Sequence, residues 1–330
     1  MIKIIAEIGS VHDGSFGNAC NLIEAAAETG ADIVKFQTHI ASEETLESAP
    51  SPSYFTNEDR YSYFERTSFS LEEWKTLKKI AKQNSLSFLS SPFSLKAIDM
   101  LENIEVDAYK VASGEVTNLP LLEKIASTKK TTYLSTGMSN HDEIARAVDT
   151  LASGGPLTIM QCSSIYPCPP EKVGINVIED LHTKYSNFSK IGFSDHTDGY
   201  SAAIAALSRG ATVIEKHLTL SKRMYGSDAK NSMEVDDFKL YVKMIKDAAI
   251  MFESKVNKDD LSQYLEMKKI FEKSIVAARD IPKGKKIEFQ DLNFKKPGSG
   301  IIADKYKKVI NRKATKNIKT NQMLNWKDIE

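Results

Sequence analysis

Three cysteines in 330 residues (Cys20, Cys162 and Cys168) are too few, and odd in number, for a disulfide framework; they predict free thiols in a reducing compartment. No uninterrupted apolar run approaches the ~18–20 residues that a membrane-spanning helix needs. Met1 runs straight into Ile2-Lys3-Ile4-Ile5 without a cleavable signal pattern, so a cytoplasmic location is expected. Charge of one sign is lacking too: 44 basic and 44 acidic residues cancel, which argues against bulk nucleic-acid binding. Neither a Gly-rich dinucleotide fingerprint nor a P-loop follows the first strand-like run.

What remains is 41% hydrophobic, enough for a real core. The zero net charge hides a split. Residues 271–330 carry 15 Lys/Arg against 7 Asp/Glu, a net of +8, which leaves residues 1–270 with 29 against 37, a net of −8. A basic tail on an acidic body predicts two modules. A nucleic-acid-binding tail is the competing reading, but the tail shows strand and turn patterns instead of a plain lysine run.

Short β-type runs recur at Ile2–Ile8, Asp32–Phe36, Ser87–Leu89, Ala108–Val111, Thr132–Leu134, Leu157–Gln161, Lys190–Phe193 and Thr212–Lys216. Helical patterns fill the gaps: Asn18–Thr29, Leu71–Asn84, Ser94–Glu102, Leu119–Ser127, Asp142–Ala152, Val177–Tyr185, Ser201–Arg209 and Val235–Glu253. Ser70 with Glu73 and Asn140 with Glu143 read as capping boxes. Strands alternating with helices in this way predict an α/β fold, a (β/α)8 TIM barrel over residues 1–253. An open doubly wound sheet is the rival. Polar residues end nearly every run, and only a barrel gathers all those ends on one rim. Residues 254–270 read as a connector and 271–330 as a small β-rich domain. The stretch Thr38–Phe69, with Tyr54, Tyr61, Tyr63 and Phe64, shows no clear element; loops of this length are often functional, and a plain insertion is the other reading.

His196 and His217 each fall just past a run, on the seventh and eighth strands. Neighbouring strands lie ~4.8 Å apart, so two imidazoles there can share one ion at bonds of ~2 Å. Two nitrogens leave positions open for water and substrate oxygens, which suits a Lewis-acid divalent metal: Mn2+ first, with Mg2+ or Co2+ as the other candidates. Either histidine alone reads more simply as a hydrogen-bonding rim residue. Lys35 and Lys110 are buried strand-end cations, and such cations are costly without an anion. With Ser90, Ser91, Ser113, Ser135, Ser164 and Ser194 they make a cradle for phosphate or carboxylate; pairing of a lysine with Glu7 or Glu215 is the structural alternative. Glu7 reads as a general acid/base, a sugar-hydroxyl ligand or an ion-pair partner. Asp228 reads as a mouth residue or a turn former. Cys162 reads as packing. His12 and His39 follow the first two runs and so stand near the rim, whereas His141 and His182 read as surface.

The chain resembles the bacterial sialic acid synthases, the nonulosonate synthase family, over essentially its whole length. The resemblance is carried by Ala6-Glu7-Ile8-Gly9, Val34-Lys35-Phe36-Gln37-Thr38, Ser90-Ser91-Pro92-Phe93, Tyr109-Lys110-Val111-Ala112-Ser113-Gly114-Glu115, Leu134-Ser135-Thr136-Gly137-Met138, Cys162-Ser163-Ser164-Ile165-Tyr166-Pro167, Phe193-Ser194-Asp195-His196-Thr197 and Glu215-Lys216-His217. The tail resembles that family's antifreeze-like (SAF, β-clip type) domain.

The resemblance implies condensation of phosphoenolpyruvate with the open-chain aldehyde of an N-acyl hexosamine and release of phosphate by C–O cleavage. It implies His196 and His217 as metal ligands and Lys35, Ser91, Lys110, Ser113, Ser135, Ser164 and Ser194 around phosphoenolpyruvate. It implies Glu7 as a catalytic group facing the sugar, with Gln37, Tyr166 and Asp228 as sugar contacts. It also implies a cytoplasmic homodimer in which the antifreeze-like domain of one subunit caps the other's barrel. Lys296 stands where that domain commonly has an arginine reaching the acyl group, and lysine cannot make the same planar fork. Val11-His12 stands for a common Asn-His, and Ser91 and Ser164 for Thr and Asn of some members. N-acetylneuraminate synthesis is the simplest reading, with legionaminate or pseudaminate synthesis as the near rival. A 3-deoxy-octulosonate phosphate synthase would need a second anion site, and no second Lys/Arg cluster appears on the rim. A non-catalytic glycan- or ice-binding protein is the rival of another class.

Overall fold

Each of the eight runs becomes a strand of one parallel sheet: β1 (Lys3–Gly9), β2 (Ile33–Thr38), β3 (Ser87–Pro92), β4 (Ala108–Val111), β5 (Thr131–Ser135), β6 (Leu157–Cys162), β7 (Lys190–Asp195) and β8 (Val213–Thr219). These come from a computed structural model that describes residues 2–50, 58–226 and 228–330. The strands pair in chain order, and β1 also pairs with β8, which closes a (β/α)8 barrel. A short strand, β9 (Met233–Glu234), extends beside the end of β8.

The period of two along each strand builds the barrel in layers. Ile5, Ile33, Leu89, Ala108, Tyr133, Met160 and Val213 form one buried interior cluster, a residue from every strand but β7. On β7 the equivalent position is Gly192, where an added Cβ would lie 3.0 Å from Met160 Cγ, so the missing side chain makes room for Met160. Two residues further along the same strands stand Glu7, Lys35, Ser91, Lys110, Ser135, Cys162, Ser194 and Glu215. The apolar layer is therefore the floor on which a polar layer rests. The alternate positions, such as Ile4, Val34, Phe36, Phe88 and Tyr109, point outward into the core shared with the helices.

The helices run close to their expected limits. Ser70 and Asn140 make their capping boxes with Glu73 and Glu143, opening Leu71–Gln83 and His141–Ala152. Three differences have physical causes. The first helix begins at Phe16, two residues early, because Ser15 caps it by accepting from Asn18 N. Strands β3, β6, β7 and β8 outrun their apolar residues because polar side chains continue the same ladder into the site. The stretch 38–69 holds helices Ala41–Glu44 and Arg60–Thr67, the second capped by Asp59. Ala41, Tyr63 and Phe64 pack together there, a contact too sparse to show as periodicity. Tyr54 lies outside the described residues.

The chain divides into two compact units, Met1–Ser254 and Lys255–Glu330. The second has its own core around Ile275, Ile281, Ile287, Val309, Ile318 and Leu324, and an antiparallel pair, β10 (Ser274–Ala277) with β11 (Leu292–Lys295). It also contains a repeat that the sequence reading missed. Ile281 and Ile318 pair across an antiparallel bridge. Gly284 and Asn321 both adopt positive φ, 81° and 63°. Asp291 and Asp328 each close a capping box, with Glu288 and Asn325, and each meets a cation twelve positions upstream, Arg279 and Lys316. All these pairs share one offset, so the unit contains two copies of one turn-and-cap motif, joined at the Ile281–Ile318 bridge. The signal was hidden because only six or so positions per copy are constrained.

Among the described residues no helix is long and apolar enough to cross a membrane.

Candidate active site

Strand register brings the polar layer together. Glu7 stands opposite Lys35 on one side and His217 on the other, and Ser194 stands opposite both Cys162 and Glu215. The result is a cavity of about 330 Å³ at the carboxyl ends of the strands. Its lining includes Glu7, Lys35, Gln37, Ser91, Lys110, Ser113, Ser135, Ser164, Tyr166, Ser194, His196 and His217. Twelve of the fourteen expected site residues thus meet in one place. Asp228 accepts from Ser10 N (3.0 Å) and Ser10 Oγ (2.9 Å) just past β1, beside that lining. Lys296 belongs to the second unit, where its Nζ lies 4.8 Å from the centre of the Phe271 ring.

The two lysines are buried and paired. Lys35 Nζ lies 2.8 Å from Glu7 Oε1 and 3.7 Å from Glu215 Oε1, and Lys110 Nζ lies 2.9 Å from the same Glu215 oxygen. Burial alone would push the Glu215 carboxyl up, but Lys110 and Lys35 hold it down at about 2. Burial would likewise favour neutral Lys35, yet Glu215 and Glu7 outweigh it and keep it charged. Burial pushes the Cys162 thiol up, and His196 and Lys110 bring it below its usual value. The sequence offered Glu215 only as an ion-pair partner for a lysine, and the structure bears that alternative out for both lysines while also placing Glu215 in the cavity lining. Its signal was available, two positions beyond Val213 on an inward-facing ladder.

The cavity is built with unused bonding capacity. Glu7 Oε2, Glu215 Oε2, Ser135 Oγ and His217 Nδ1 are buried without a hydrogen-bond partner. Such groups are costly unless something else meets them, so four of them around one cavity mark a place for polar ligands. Gly137 completes the cradle. Its N–H donates to Ser113 Oγ (3.0 Å), and an added Cβ would lie 2.6 Å from Ser164 Oγ and 2.9 Å from Ser113 Oγ. Only glycine leaves those hydroxyls room to converge.

The two imidazoles fit a shared ion. Their ring centres are 5.7 Å apart. A metal–nitrogen bond of about 2.1 Å puts each ring centre about 3.2 Å from an ion, so two rings on one ion lie within about 6.4 Å. His196 Nδ1 donates to the Ser163 carbonyl (2.7 Å), which leaves the Nε2 lone pair facing outward, where the Tyr166 hydroxyl meets it at 3.1 Å. A backbone carbonyl on the far nitrogen is the usual orienting contact of a ligating histidine. Among the described residues no cluster of three or more His, Cys, Asp and Glu stands ready for a metal.

The remaining histidines sort by burial. His12 is packed against Phe69 and Phe36, its Nδ1 accepts from Gly14 N, and burial lowers its pKa to about 4; it is a neutral structural residue. His141 and His182 are exposed, as expected.

A barrel with buried lysines, convergent hydroxyls and an imidazole pair at its carboxyl rim has the makings of an enzyme that binds an anionic substrate. Comparison with known proteins agrees. The NeuB family profile matches residues 22–257 and the SAF domain profile matches residues 272–330. The chain belongs to the NeuB family. It is 36% identical to the N,N'-diacetyllegionaminic acid synthase of Campylobacter jejuni, over 97% of this chain and 98% of that one. It is 32% identical to the pseudaminic acid synthase of Helicobacter pylori, over 99% and 98%. The crystal structure of the N-acetylneuraminic acid synthetase of Leptospira borgpetersenii superposes with a TM-score of 0.72 at 27% identity, covering 81% of this chain and 91% of that one.

Proposed function

We propose that this enzyme joins the methylene carbon of phosphoenolpyruvate to the aldehyde carbon of an N-acylated amino-hexose. Water then adds at the enol carbon and phosphate leaves with C–O cleavage. The observation that carries the reading is the meeting of two buried lysines, five serines and two imidazoles on one 330 Å³ cavity.

The roles follow from chemistry. Lys35 and Lys110 neutralise the phosphate and carboxylate of phosphoenolpyruvate, and Ser91, Ser113, Ser135, Ser164 and Ser194 donate to their oxygens. His196 and His217 would hold a divalent ion, Mn2+ first, which supplies a Lewis acid for the aldehyde oxygen. Glu7, with Oε1 held by Lys35 and Gln37 and Oε2 unpartnered, is the group available to carry a proton to or from the acceptor. Gln37, Tyr166 and Asp228 are the proposed sugar contacts around it. Among the described residues of the lining, Lys35 and Lys110 are the only lysines or arginines, and phosphoenolpyruvate takes both, so a phosphorylated acceptor would bring a second anion without a cation of the lining to meet it. An uncharged acceptor is favoured.

N-acetylmannosamine, giving N-acetylneuraminate, is the simplest acceptor. A diacetamido-trideoxyhexose is a second reading, supported by the higher identity to a legionaminic acid synthase. We further propose a cytoplasmic homodimer whose SAF domain brings Lys296 to the partner's sugar; the opposite charges of the two segments support it. Phosphate release from phosphoenolpyruvate with Mn2+ and a panel of acylated hexosamines tests the reaction. Release with at least one of them is expected, and its absence with all would leave a binding protein.

A further inference from the structure

His39 follows β2, is buried, and does not line the cavity. Its ring is stacked between two phenyl rings: Phe64 at 3.7 Å and Phe93 at 4.2 Å, each tilted by only 13°. Its Nδ1 lies 2.8 Å from Glu44 Oε1 and its Nε2 lies 3.1 Å from Gln37 Oε1. Gln37 then reaches the site, because its Nε2 donates to Glu7 Oε1 at 2.9 Å.

The bonds from Glu7 to His39 run in one direction. The Glu7 carboxylate accepts, so Gln37 turns its amide nitrogen toward Glu7 and its carbonyl toward His39. His39 Nε2 therefore donates to that carbonyl. Glu44, its side chain 4% exposed, holds the other ring nitrogen through Oε1. Two aromatic faces cover the ring and fix its plane. The other charged groups near this cluster are Glu115, His12 and Arg60, whose guanidinium lies 5.4 Å from the Phe64 ring centre.

We propose that His39 is a positioning residue that, held between Phe64 and Phe93 and by Glu44, donates from Nε2 to the Gln37 carbonyl, locks the Gln37 amide toward Glu7 and thereby engages Glu7 Oε1 while Oε2 stays free for the acceptor. Glu44 and Phe64 come from the stretch 38–69, so that stretch serves as a brace for the carboxylate. The effect on the acceptor rests on the reading of Glu7 and Gln37 given above; the direction of the His39–Gln37 bond does not.

Two measurements separate these. Nitrogen-15 NMR of the histidine side chains at neutral pH, with the His39 signals identified by their loss in His39→Phe, should show its Nε2 protonated. An Nε2 without a proton overturns the proposal, whatever the enzyme acts on. His39→Phe keeps the stacked ring and removes both donors. Its KM for the sugar should rise about tenfold with KM for phosphoenolpyruvate unchanged. Glu44→Gln can donate to Nδ1 and so leaves the proton on Nε2; this variant should keep wild-type KM values. Unchanged sugar KM in His39→Phe, or equal rises for both substrates, overturns the positioning role. If no sugar supports phosphate release, the functional reading fails while the NMR result still stands on its own.

Discussion

Asp195 and Lys216, each the residue before a cavity histidine, form an ion pair of 3.0 Å on the helix side of the barrel. Register puts them opposite each other on β7 and β8. Tyr241 donates to the same Asp195 oxygen at 2.9 Å, and Thr197 donates twice to the other, from N and Oγ1. Lys216 also donates to the Thr197 carbonyl at 2.6 Å. The backbone on both sides of His196 is thus tied to the strand that carries His217, which fixes the spacing of the two rings. Lys216→Met would leave Asp195 buried without its cation. The expected loss is about 3–5 kcal/mol, a fall of roughly 10 °C in Tm by calorimetry. An unchanged Tm would contradict the clamp.

His217→Ala removes half of the proposed donor set. Mn2+ affinity measured by titration calorimetry should drop by about 100-fold or more, and turnover should fall with it. Metal binding at wild-type strength would refute the ligand assignment.

Lys110→Met keeps the length of the stem and removes the charge nearest Glu215. Charge-assisted hydrogen bonds of this kind are worth about 1.5–3 kcal/mol, so KM for phosphoenolpyruvate should rise about 10- to 100-fold. The sugar KM should move less. Steady-state kinetics with each substrate varied in turn decides the point.

Asp291 gives the second unit a pH dependence. Burial would push its carboxyl up, but Lys285, the Glu288 amide and Arg279 bring it below the ordinary carboxylate value. A carboxyl whose folded value lies below its unfolded value of about 3.9 stabilises the fold above that pH and ceases to do so as pH falls through the folded value. Asp291→Asn should therefore cost about 2 kcal/mol at pH 7. The gap between variant and wild type should close on acidification, followed by calorimetry at stepped pH. A constant gap would show that the charge is not the cause.

Removal of residues 271–330 tests the proposed cap. The sugar KM should rise more than that of phosphoenolpyruvate, and sedimentation should report a change in assembly. Equal changes in both KM values would count against a sugar-facing role for Lys296.

Much of the site was legible because the barrel imposes a period of two. Once Ile5, Ile33, Leu89 and Val213 are placed inside, Glu7, Lys35, Ser91 and Glu215 must follow them on the same face. Asp228 and Lys296 lay outside that rule, since one sits in a loop and the other in a separate unit, where periodicity has no hold. The brace around His39 was illegible for a related reason. Phe64, Glu44 and Phe93 come from three places in the chain, and no spacing links them.

By itself, the order of apolar and polar residues determined the eight strands, the closed barrel and the identity of the groups on its rim, because alternation along a strand is a local property. Tertiary structure alone decided which of those groups meet: that Glu215 lies between two lysines, that Glu7 keeps one oxygen free, and that His39 faces two acceptors. Such pairings depend on distances across the barrel and between loops, and burial then decides which charges and protons each group can hold.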